Sequence, residues 1–342
     1  PALAVAERLR DLGMQVCWMG TRRGLEARVV PARGFPMEWI RVEGVRGVGA
    51  KRLLAAPVQM LRALWQALGI MRRRRPSVVL GMGGFASGPG GLMARALGIP
   101  LVIHEQNRIP GLTNQWLARI ATRVFEAFPG SFPKGRRAEA CGNPVRLEIV
   151  RLEPPGQRFA GRQGPLRLLV VGGSLGAQAL NQTVPQALAQ LPPEHRPLVR
   201  HQSGERNLEV ARAAYRQAGV SAELLPFIDD MAAAYAWADL VLCRAGALTI
   251  SELAAAGLGS ILVPYPYAVD DHQTRNAQYL VDAGAARLVP QRDLTASGLS
   301  ELLRPLIEDR RQLLAMAQAA REKAQLDAVE RIADACREVQ RR

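Results

Sequence analysis

Two segments in the second half of the chain join an apolar run to small residues and then to a predicted helix. They are residues 168–177, Leu-Leu-Val-Val-Gly-Gly-Ser-Leu-Gly-Ala, and residues 240–252, Leu-Val-Leu-Cys-Arg-Ala-Gly-Ala-Leu-Thr-Ile-Ser-Glu. A strand that turns into a helix in this way presents backbone N–H groups and the positive end of the helix dipole. Both bind phosphate without a charged side chain. Two such turns in one domain predict a site for a nucleotide diphosphate.

Glu252 adds a second feature to this predicted site, because it lies in the first turns of the helix that follows the second segment. A carboxylate in that place can accept hydrogen bonds from the two ribose hydroxyls of a nucleotide. The combination of phosphate turns and a ribose-binding carboxylate predicts a nucleotide-sugar site.

A dinucleotide-binding fingerprint is the competing interpretation of the first glycine turn. Its Gly-x-Gly-x-x-Gly spacing fails here, because Ser174 stands where the second glycine is required. Such sites also place an acidic residue about 20 residues further on, after the next strand. The corresponding predicted strand ends in Arg200, His201 and Gln202 instead. The sequence therefore does not favour a nicotinamide-dependent enzyme.

Paired carboxylates occur at residues 229–230 and 270–271, but the sequence contains no Asp-x-Asp motif. Adjacent side chains point apart on a strand or a helix, so helix capping or surface roles are favoured over a metal site. We therefore expect neither a metal nor a cofactor. Helix dipoles and arginine would then take up the negative charge of a leaving group.

A third glycine-rich loop lies in the first half of the chain, at residues 81–91, where six of the eleven residues are glycine. Glycine permits positive φ angles and a close approach of the backbone to a ligand, and a cradle of N–H groups requires both. A long tight turn is the structural alternative. We expect a second anion site here, facing the first across a cleft.

The segment His104-Glu105-Gln106-Asn107 follows a predicted buried strand. A carboxylate buried at this strand end can have a raised pKa and act as a general base. A hydrogen-bonded structural role is equally consistent with the sequence. Glu105 is therefore only a weak candidate for the catalytic residue.

Residues 53–75 combine an apolar face with an arginine cluster at the C-terminal end of a predicted helix. A basic amphipathic helix of this type can lie on an anionic membrane surface, where each arginine contributes on the order of 1 kcal/mol. A helix that packs on the core and has a solvated end is equally consistent with the pattern. The predicted membrane-contact residues are Leu61, Leu64, Trp65, Arg72, Arg73, Arg74 and Arg75.

The composition is that of a globular protein in a reducing compartment. With 342 residues the chain is long enough for two domains. Its four cysteines stand far apart, without the spacing of a zinc site or a disulfide framework. The net charge of +15 favours a polyanionic partner, although a biased composition explains it equally well. Because the sequence contains no recognisable nucleic-acid-binding module, we expect the partner to be an anionic membrane surface and not a nucleic acid.

Predicted strands and helices alternate along the chain, which is typical of α/β folds with parallel sheets covered on both faces. We predict two doubly wound, Rossmann-like domains that face a cleft, residues 1–145 and residues 146–342. A linker is expected between 144 and 165, where Pro, Gly and charged residues interrupt the pattern. Packing of the C-terminal helix back on the first domain is one option. The predicted strands of the second domain are 166–171, 197–201, 222–226, 240–243, 260–263 and 286–290.

Five segments carry a resemblance to a known family. They are Gly-Met-Gly-Gly-Phe-Ala-Ser-Gly-Pro-Gly-Gly at 81–91, His-Glu-Gln-Asn at 104–107, Gly-Asn-Pro-Val-Arg at 142–146, Val-Val-Gly-Gly-Ser-Leu-Gly-Ala at 170–177 and Cys-Arg-Ala-Gly-Ala-Leu-Thr-Ile-Ser-Glu at 243–252. Together they resemble the bacterial transferases that add N-acetylglucosamine to undecaprenyl-diphosphoryl-N-acetylmuramoyl-pentapeptide in peptidoglycan synthesis. The resemblance covers essentially the whole chain. It implies an inverting glycosyltransferase of the GT-B fold.

The resemblance also implies residue roles and a location. UDP-N-acetylglucosamine is expected in the second domain, with Ser174 at the diphosphate, Glu252 at the ribose and Gln273 at the sugar. The implied donor contacts are Asn114, Arg146, Ser174, Ile228, Ala247, Leu248, Thr249, Ile250, Ser251, Glu252 and Gln273. The lipid-linked acceptor is expected against the first domain, its diphosphate at Gly83, Gly84, Ser87 and Gly88. The implied location is peripheral, on the cytoplasmic face of the bacterial inner membrane.

The family also carries a Gly-Gly-Thr-Gly-Gly-His loop directly before the position of Pro1, and its histidine is the favoured general base. The sequence begins after that loop, so we expect a further strand and glycine loop upstream. The general base is therefore unassigned. Two alternatives stay open: a UDP-N-acetylglucosamine epimerase of the same two-domain architecture, and a non-catalytic membrane scaffold that binds a UDP-sugar.

Overall fold

The computed structural model describes residues 1–22, 24, 26–42, 50–173 and 176–340. Within these ranges the paired strands are all parallel to their neighbours. The strands are β1 (Trp18–Gly20), β2 (Met37–Trp39), β3 (Val79–Gly81), β4 (Leu101–Glu105), β5 (Arg123–Glu126), β6 (Glu139–Ala140), β7 (Arg167–Val171), β8 (Leu198–Gln202), β9 (Glu223–Leu225), β10 (Leu240–Cys243), β11 (Gly259–Leu262) and β12 (Ala286–Leu288).

The α-helices lie between these strands and in the C-terminal part of the chain. They are α1 (Ala2–Asp11), α2 (Glu26–Ala32), α3 (Ala50–Arg74), α4 (Ser87–Ala96), α5 (Leu112–Leu117), α6 (Leu147–Val150), α7 (Pro155–Phe159), α8 (Gln178–Ala189), α9 (Leu208–Ala218), α10 (Met231–Trp237), α11 (Ala247–Ala256), α12 (His272–Val281), α13 (Ala296–Glu308), α14 (Arg310–Glu322) and α15 (Ala328–Gln340). The regular alternation ends after β12, where α13, α14 and α15 follow one another.

The chain divides into two compact units. Unit 1 contains Pro1–Pro144 together with the C-terminal segment that starts at Asp327, and unit 2 contains Val145–Leu326. The break after Pro144 lies one residue before the predicted domain boundary. The structure also places α15, which belongs to the predicted second range, in unit 1.

The prediction of a linker at 144–165 is wrong. This segment contains α6 and α7 and belongs to unit 2. The reason is long-range packing: Pro155 lies so close to Gly257 that a Cβ atom there would come within 2.6 Å of its ring. The Arg158 side chain is 7% exposed and inserts beside the end of α11. Proline, glycine and charged residues indicate a loop when the local sequence is considered alone. In the structure, however, the side chains of Pro155 and Arg158 are buried in unit 2.

Unit 1 is built on the parallel sheet β3-β4-β5-β6, while β1 and β2 form a separate two-stranded sheet. All five residues of β4 are buried, as expected of a strand covered by helices on both faces. The helix α15 packs against α1, and Val5 and Leu9 share a core with Ile332 and Cys336. The C-terminal helix therefore belongs to the unit that contains the N-terminal helix.

Unit 2 contains a six-stranded parallel sheet in the order β12-β11-β10-β7-β8-β9. From β7 the chain adds strands in one direction, through β8 to β9. From β10 it adds strands in the other direction, through β11 to β12. β7 and β10 are therefore neighbours at the point where the winding reverses. Open α/β sheets bind their ligands at this point, outside the carboxyl ends of the strands.

The prediction of an α/β fold with parallel sheets in two Rossmann-like domains is confirmed. The predicted strand 240–243 coincides with β10, and the other predicted strands of the second domain differ from the observed ends by at most two residues. They are predictable because parallel strands buried on both faces are continuous apolar runs.

Candidate functional site

The loop between β7 and α8 is the first predicted phosphate turn, and close backbone contacts require its glycines. A Cβ atom at Gly172 would lie 2.6 Å from the backbone nitrogen of Ala177. Gly176 has a φ angle of +73°, and a Cβ atom there would overlap the carbonyl oxygen of Ser203. Neither position accepts a side chain without a backbone shift. Ser174, predicted at the donor diphosphate, lies outside the described residues, so its role stays a prediction.

The second predicted phosphate turn joins β10 to α11, which begins at Ala247. The N-cap residue is Gly246, which has no side chain to cap the first turn. No side chain of the N-cap residue therefore offsets the positive end of the helix dipole. Because β7 and β10 are neighbours in the sheet, the two phosphate turns lie at the same carboxyl edge of unit 2. The structure thus brings both turns together.

Two arginines hold the opposite, C-terminal end of α11. Arg158 donates hydrogen bonds to the carbonyl oxygens of Ala256, at 2.7 Å, and of Gly257. Arg321 donates to the carbonyl oxygen of Ala255. Burial lowers the pKa of Arg158 to about 10, so its guanidinium is still charged at neutral pH. Positive charge at this end complements the helix dipole and fixes α11 in place.

Glu252, the predicted ribose residue, lies in the second turn of α11 with 16% of its side chain exposed. The Nη2 atom of Arg146 donates to its Oε1 at 3.0 Å, and the hydroxyl of Tyr235 donates to its Oε2 at 3.1 Å. Sequence analysis identifies Arg146 but misses Tyr235. A tyrosine within the apolar helix α10 is typical of a core residue, and only the fold places its hydroxyl on the carboxylate.

The other predicted donor residues of unit 2 lie on loops or near the starts of helices. Ile228 follows β9 and is 9% exposed. Gln273, in the first turn of α12, accepts a hydrogen bond through Oε1 from the backbone nitrogen of Tyr265 at 2.9 Å. Ile250 is fully buried and its backbone nitrogen donates to the carbonyl oxygen of Gly246 at 3.0 Å, so its predicted donor contact stays a prediction. The partly exposed members of the α11 run are Ala247, Leu248, Thr249, Ser251 and Glu252.

In unit 1 the third glycine-rich loop joins β3 to α4. Gly83 and Gly84 have φ angles of +79° and +77°, which glycine adopts at no steric cost. The hydroxyl of Ser87, the first residue of α4, donates to the carbonyl oxygen of Gly83 at 2.5 Å. A Cβ atom at Gly88 would lie 3.6 Å from the methyl group of Thr113. This backbone suits a phosphate cradle, and its role as the acceptor site stays a prediction.

Glu105 ends β4 and is 2% exposed. Its Oε1 accepts from the backbone nitrogen of Asn107 at 2.9 Å. Its Oε2 accepts from the backbone nitrogen of Gly111 at 3.1 Å and from Nδ2 of Asn114 at 2.9 Å. Donors on both oxygens hold the loop between β4 and α5, which favours the structural interpretation. Asn114 is itself 1% exposed and lies in unit 1, so its predicted donor contact stays a prediction.

The helix α3 carries the predicted membrane face. Val58, Leu61 and Trp65 are 69%, 58% and 71% exposed. They are spaced by three and four residues, so they form one apolar stripe along the helix. Leu64 is only partly exposed and lies at the margin of this stripe. The other side of the helix packs on the core, where Ala63 is fully buried. The structure therefore shows both a core face and an exposed stripe, and the membrane contact stays a prediction.

The arginine cluster at the end of α3 is partly neutralised. Arg73 and Arg74 donate to the two carboxylate oxygens of Glu38, at 2.6 and 2.7 Å. Arg72 and Arg75 are exposed. The positive charge of the cluster is therefore lower than the sequence alone indicates, because one carboxylate from β2 lies within it.

Further exposed apolar side chains of unit 1 lie within the glycine-rich loop after β3 and in α5. Phe85, Leu112 and Trp116 are 56%, 51% and 64% exposed, and the guanidinium of Arg119 stacks over the Trp116 ring at 4.2 Å. Sequence analysis does not single out these residues as exposed. Their exposure becomes visible only in the fold.

Across the described ranges, no group of three or more His, Cys, Asp or Glu side chains is arranged to hold a metal ion. Over the same residues, none of the helices has the length and apolar character needed to cross a membrane. All four cysteines are free thiols, and Cys17 is the exposed one among them.

Two family models match the chain. The glycosyltransferase family 28 N-terminal domain matches residues 1–126, and the glycosyltransferase family 28 C-terminal domain matches residues 167–332. The chain belongs to glycosyltransferase family 28. It is therefore a glycosyltransferase, and the two predicted phosphate turns of unit 2 lie in the segment that matches the C-terminal domain of family 28.

Relatives in family 28 resemble the chain over nearly its whole length. The UDP-N-acetylglucosamine--N-acetylmuramyl-(pentapeptide) pyrophosphoryl-undecaprenol N-acetylglucosamine transferase of Nitrosococcus oceani is 58% identical over 339 residues, covering 99% of this chain and 94% of the relative. The protein of the same name from Alkalilimnicola ehrlichii is 58% identical over 338 residues, again covering 99% and 94%.

Two solved structures also resemble the chain over nearly its whole length. MurG of Acinetobacter baumannii has a TM-score of 0.87 at 42% identity, covering 99% of this chain and 95% of that one. A UDP-GlcNAc 2-epimerase from Neisseria meningitidis, solved with bound UDP-GlcNAc, has a TM-score of 0.66 at 12% identity, covering 98% and 95%. The second similarity shows a shared fold alone, so the epimerase alternative is not favoured.

Proposed function

We propose that this family 28 enzyme transfers N-acetylglucosamine from UDP-N-acetylglucosamine to undecaprenyl-diphosphoryl-N-acetylmuramoyl-pentapeptide, with inversion at the anomeric carbon. The product is the lipid-linked disaccharide precursor of peptidoglycan. One observation carries the proposal. Glu252 stands on the helix that begins at a phosphate turn, in a chain 58% identical to a transferase named for this reaction.

The unit 2 site suits a nucleotide-sugar donor by its charge and its hydrogen-bonding groups. The ribose hydroxyls would donate to Glu252, and the diphosphate would lie between the N-terminus of α11 and the loop after β7. Negative charge grows on the diphosphate as its bond to the sugar breaks. Backbone N–H groups and a fixed helix dipole stabilise such charge without reorganising during the reaction. UDP is therefore a good leaving group in this site.

The acceptor would bind to unit 1, with its diphosphate at the loop that contains Gly83, Gly84, Ser87 and Gly88. A hydroxyl oxygen of the acceptor sugar attacks the anomeric carbon from the face opposite the diphosphate. The new bond forms as the bond to UDP breaks, which inverts the configuration at that carbon. A general base takes the hydroxyl proton. Because Glu105 is held by donors on both oxygens, it is a poor choice for that role.

A peripheral position on an anionic membrane surface, at the cytoplasmic face of the inner membrane, completes the proposal. Such a position gives the enzyme access to an acceptor whose lipid stays in the bilayer. The supporting observation is the exposed stripe of Val58, Leu61 and Trp65 on a helix that ends in arginines. Burial of this stripe in lipid would contribute about 25 cal/mol for each Å² of apolar surface, and the arginines would add electrostatic attraction.

The decisive experiment incubates full-length protein with radiolabelled UDP-N-acetylglucosamine and the lipid-linked muramoyl-pentapeptide. We expect a labelled glycolipid that depends on the acceptor, and Glu252→Ala as the matched variant should form it more slowly. Absence of transfer would overturn the proposal. Conversion of the nucleotide sugar without acceptor would support the epimerase instead, and UDP binding without any turnover would support the scaffold.

A further inference from the structure

The Glu252 carboxylate has two oxygens, and within the described part of unit 2 each oxygen is held by one donor. Arg146 Nη2 lies 3.0 Å from Oε1, and the Tyr235 hydroxyl lies 3.1 Å from Oε2. An ionised carboxylate has about four acceptor positions, two on each oxygen. One position is therefore left on each oxygen, which matches the two neighbouring hydroxyls of a ribose.

The two donors differ in how firmly they hold the carboxylate. The Arg146 side chain is 48% exposed, and solvent weakens an ion pair in such a place. Tyr235 is 1% exposed and its ring is fixed by packing in α10. Burial and the neighbouring Glu252 raise the pKa of Tyr235 well above its usual value. Its hydroxyl therefore keeps its proton and acts as a donor throughout the physiological pH range.

We propose that Tyr235 is a positioning residue of the donor site, which fixes the Glu252 carboxylate in the orientation that accepts the ribose hydroxyls. This inference rests on the proposed ribose contact of Glu252. A carboxylate that is already fixed loses less conformational entropy when the nucleotide binds, so the affinity is higher. Tyr235 acts through Glu252, and its effect is specific to the ribose hydroxyls.

The test is the variant Tyr235→Phe, which removes the hydroxyl and keeps the ring. Calorimetry on the full-length protein measures the Kd of UDP, 2′-deoxy-UDP and 3′-deoxy-UDP. We expect the Kd of UDP to rise about fivefold, the range for fixing one side chain. The preference for UDP over the analogue that lacks the hydroxyl bound at Oε2 should fall by a similar factor. In turnover, the KM for the donor should rise with kcat almost unchanged.

Tyr215→Phe is the matched control. Tyr215 is also in unit 2, is 3% exposed, and its hydroxyl is hydrogen-bonded to Nδ1 of His201 at 3.0 Å. The two variants therefore lose the same group from equally buried sites. Tyr215→Phe should leave the Kd of all three nucleotides unchanged, and thermal unfolding of both variants shows whether either fold is weakened.

The outcomes separate this inference from the function on which it rests. If Tyr235→Phe weakens UDP and both deoxy analogues equally, or weakens none of them, while Glu252→Ala weakens UDP alone, then the positioning role of Tyr235 is overturned. The ribose contact of Glu252 would stand in that case. If Glu252→Ala binds UDP as tightly as the unmodified protein, the proposed ribose contact itself fails.

Discussion

The glycines of the loop after β7 allow a sharp test of the local geometry, because two of them share a positive φ angle but differ in their surroundings. Gly173 has a φ angle of +85°, and of the described atoms none lies within 4 Å of the place where its Cβ would stand. Gly176 has a φ angle of +73°, and its Cβ would overlap the carbonyl oxygen of Ser203 and approach Nδ2 of Asn207 at 2.9 Å. Alanine at either position has the same backbone strain, but only alanine at Gly176 also collides with its neighbours.

The expected losses in the free energy of unfolding follow from the backbone strain and from the collision. A left-handed conformation costs a non-glycine residue about 1–2 kcal/mol, which is the whole effect expected for Gly173→Ala. Overpacking against a fixed backbone adds about 1–3 kcal/mol, so Gly176→Ala should lower the free energy of unfolding by about 2–5 kcal/mol in total. Gly173→Ala thus serves as the matched control, since it changes the same atom in the same loop.

Urea unfolding of the full-length protein, followed by far-ultraviolet circular dichroism without nucleotide, measures both free energies. We expect Gly176→Ala to have a midpoint at clearly lower urea than Gly173→Ala, with similar slopes. Equal destabilisation by the two variants would refute the reasoning, because the close contact of Gly176 with Ser203 would then have no energetic effect.

Four further predictions concern the donor helix, the membrane face and the response to acid. Glu252→Ala should weaken UDP binding by about 1–3 kcal/mol, the cost of a lost hydrogen bond to a charged group. Calorimetry measures the affinity, and an unchanged value would show that Glu252 does not bind the ribose. Arg158→Met should lower the free energy of unfolding by about 2–4 kcal/mol, because the carbonyl oxygens of Ala256 and Gly257 at the C-terminal end of α11 lose this donor. An unchanged thermal midpoint would contradict that. Trp65→Ser should reduce co-sedimentation of the protein with anionic vesicles. Leu198→Ser, at a 52% exposed position of unit 2, is the control and should not reduce it. An equal loss of co-sedimentation in both variants would argue against a specific membrane face. Acid should destabilise the protein, because burial holds the pKa of His104 at about 4, below the value of about 6.5 in an unfolded chain. The contribution of His104 to the free energy of unfolding is fully present above pH 6.5 and decreases as the pH falls towards 4. At pH 5 the loss is about 2 kcal/mol. If the free energy of unfolding is the same at pH 7 and pH 5, His104 does not titrate in this way.

Local sequence signals account for the parts of the site that were predicted well. The strand 240–243, the glycine turn after it and the position of Glu252 near the helix start are all encoded within about a dozen neighbouring residues. Apolar runs specify buried strands, and glycines specify turns, because each depends on the chemistry of the segment itself. The same holds for the glycine loop after β3, where Gly83 and Gly84 have the positive φ angles that glycine alone adopts easily.

The sequence by itself determined that parallel α/β domains carry glycine turns before helices, and that Glu252 follows one of them. Only the tertiary structure decided what surrounds that carboxylate. Tyr235 from α10 and Arg146 from the start of α6 contact Glu252. The segment predicted as a linker packs as part of unit 2, and α15 packs beside α1. The physical reason is that these contacts join residues far apart in the chain, so they depend on how complete elements pack together, and no local pattern encodes them.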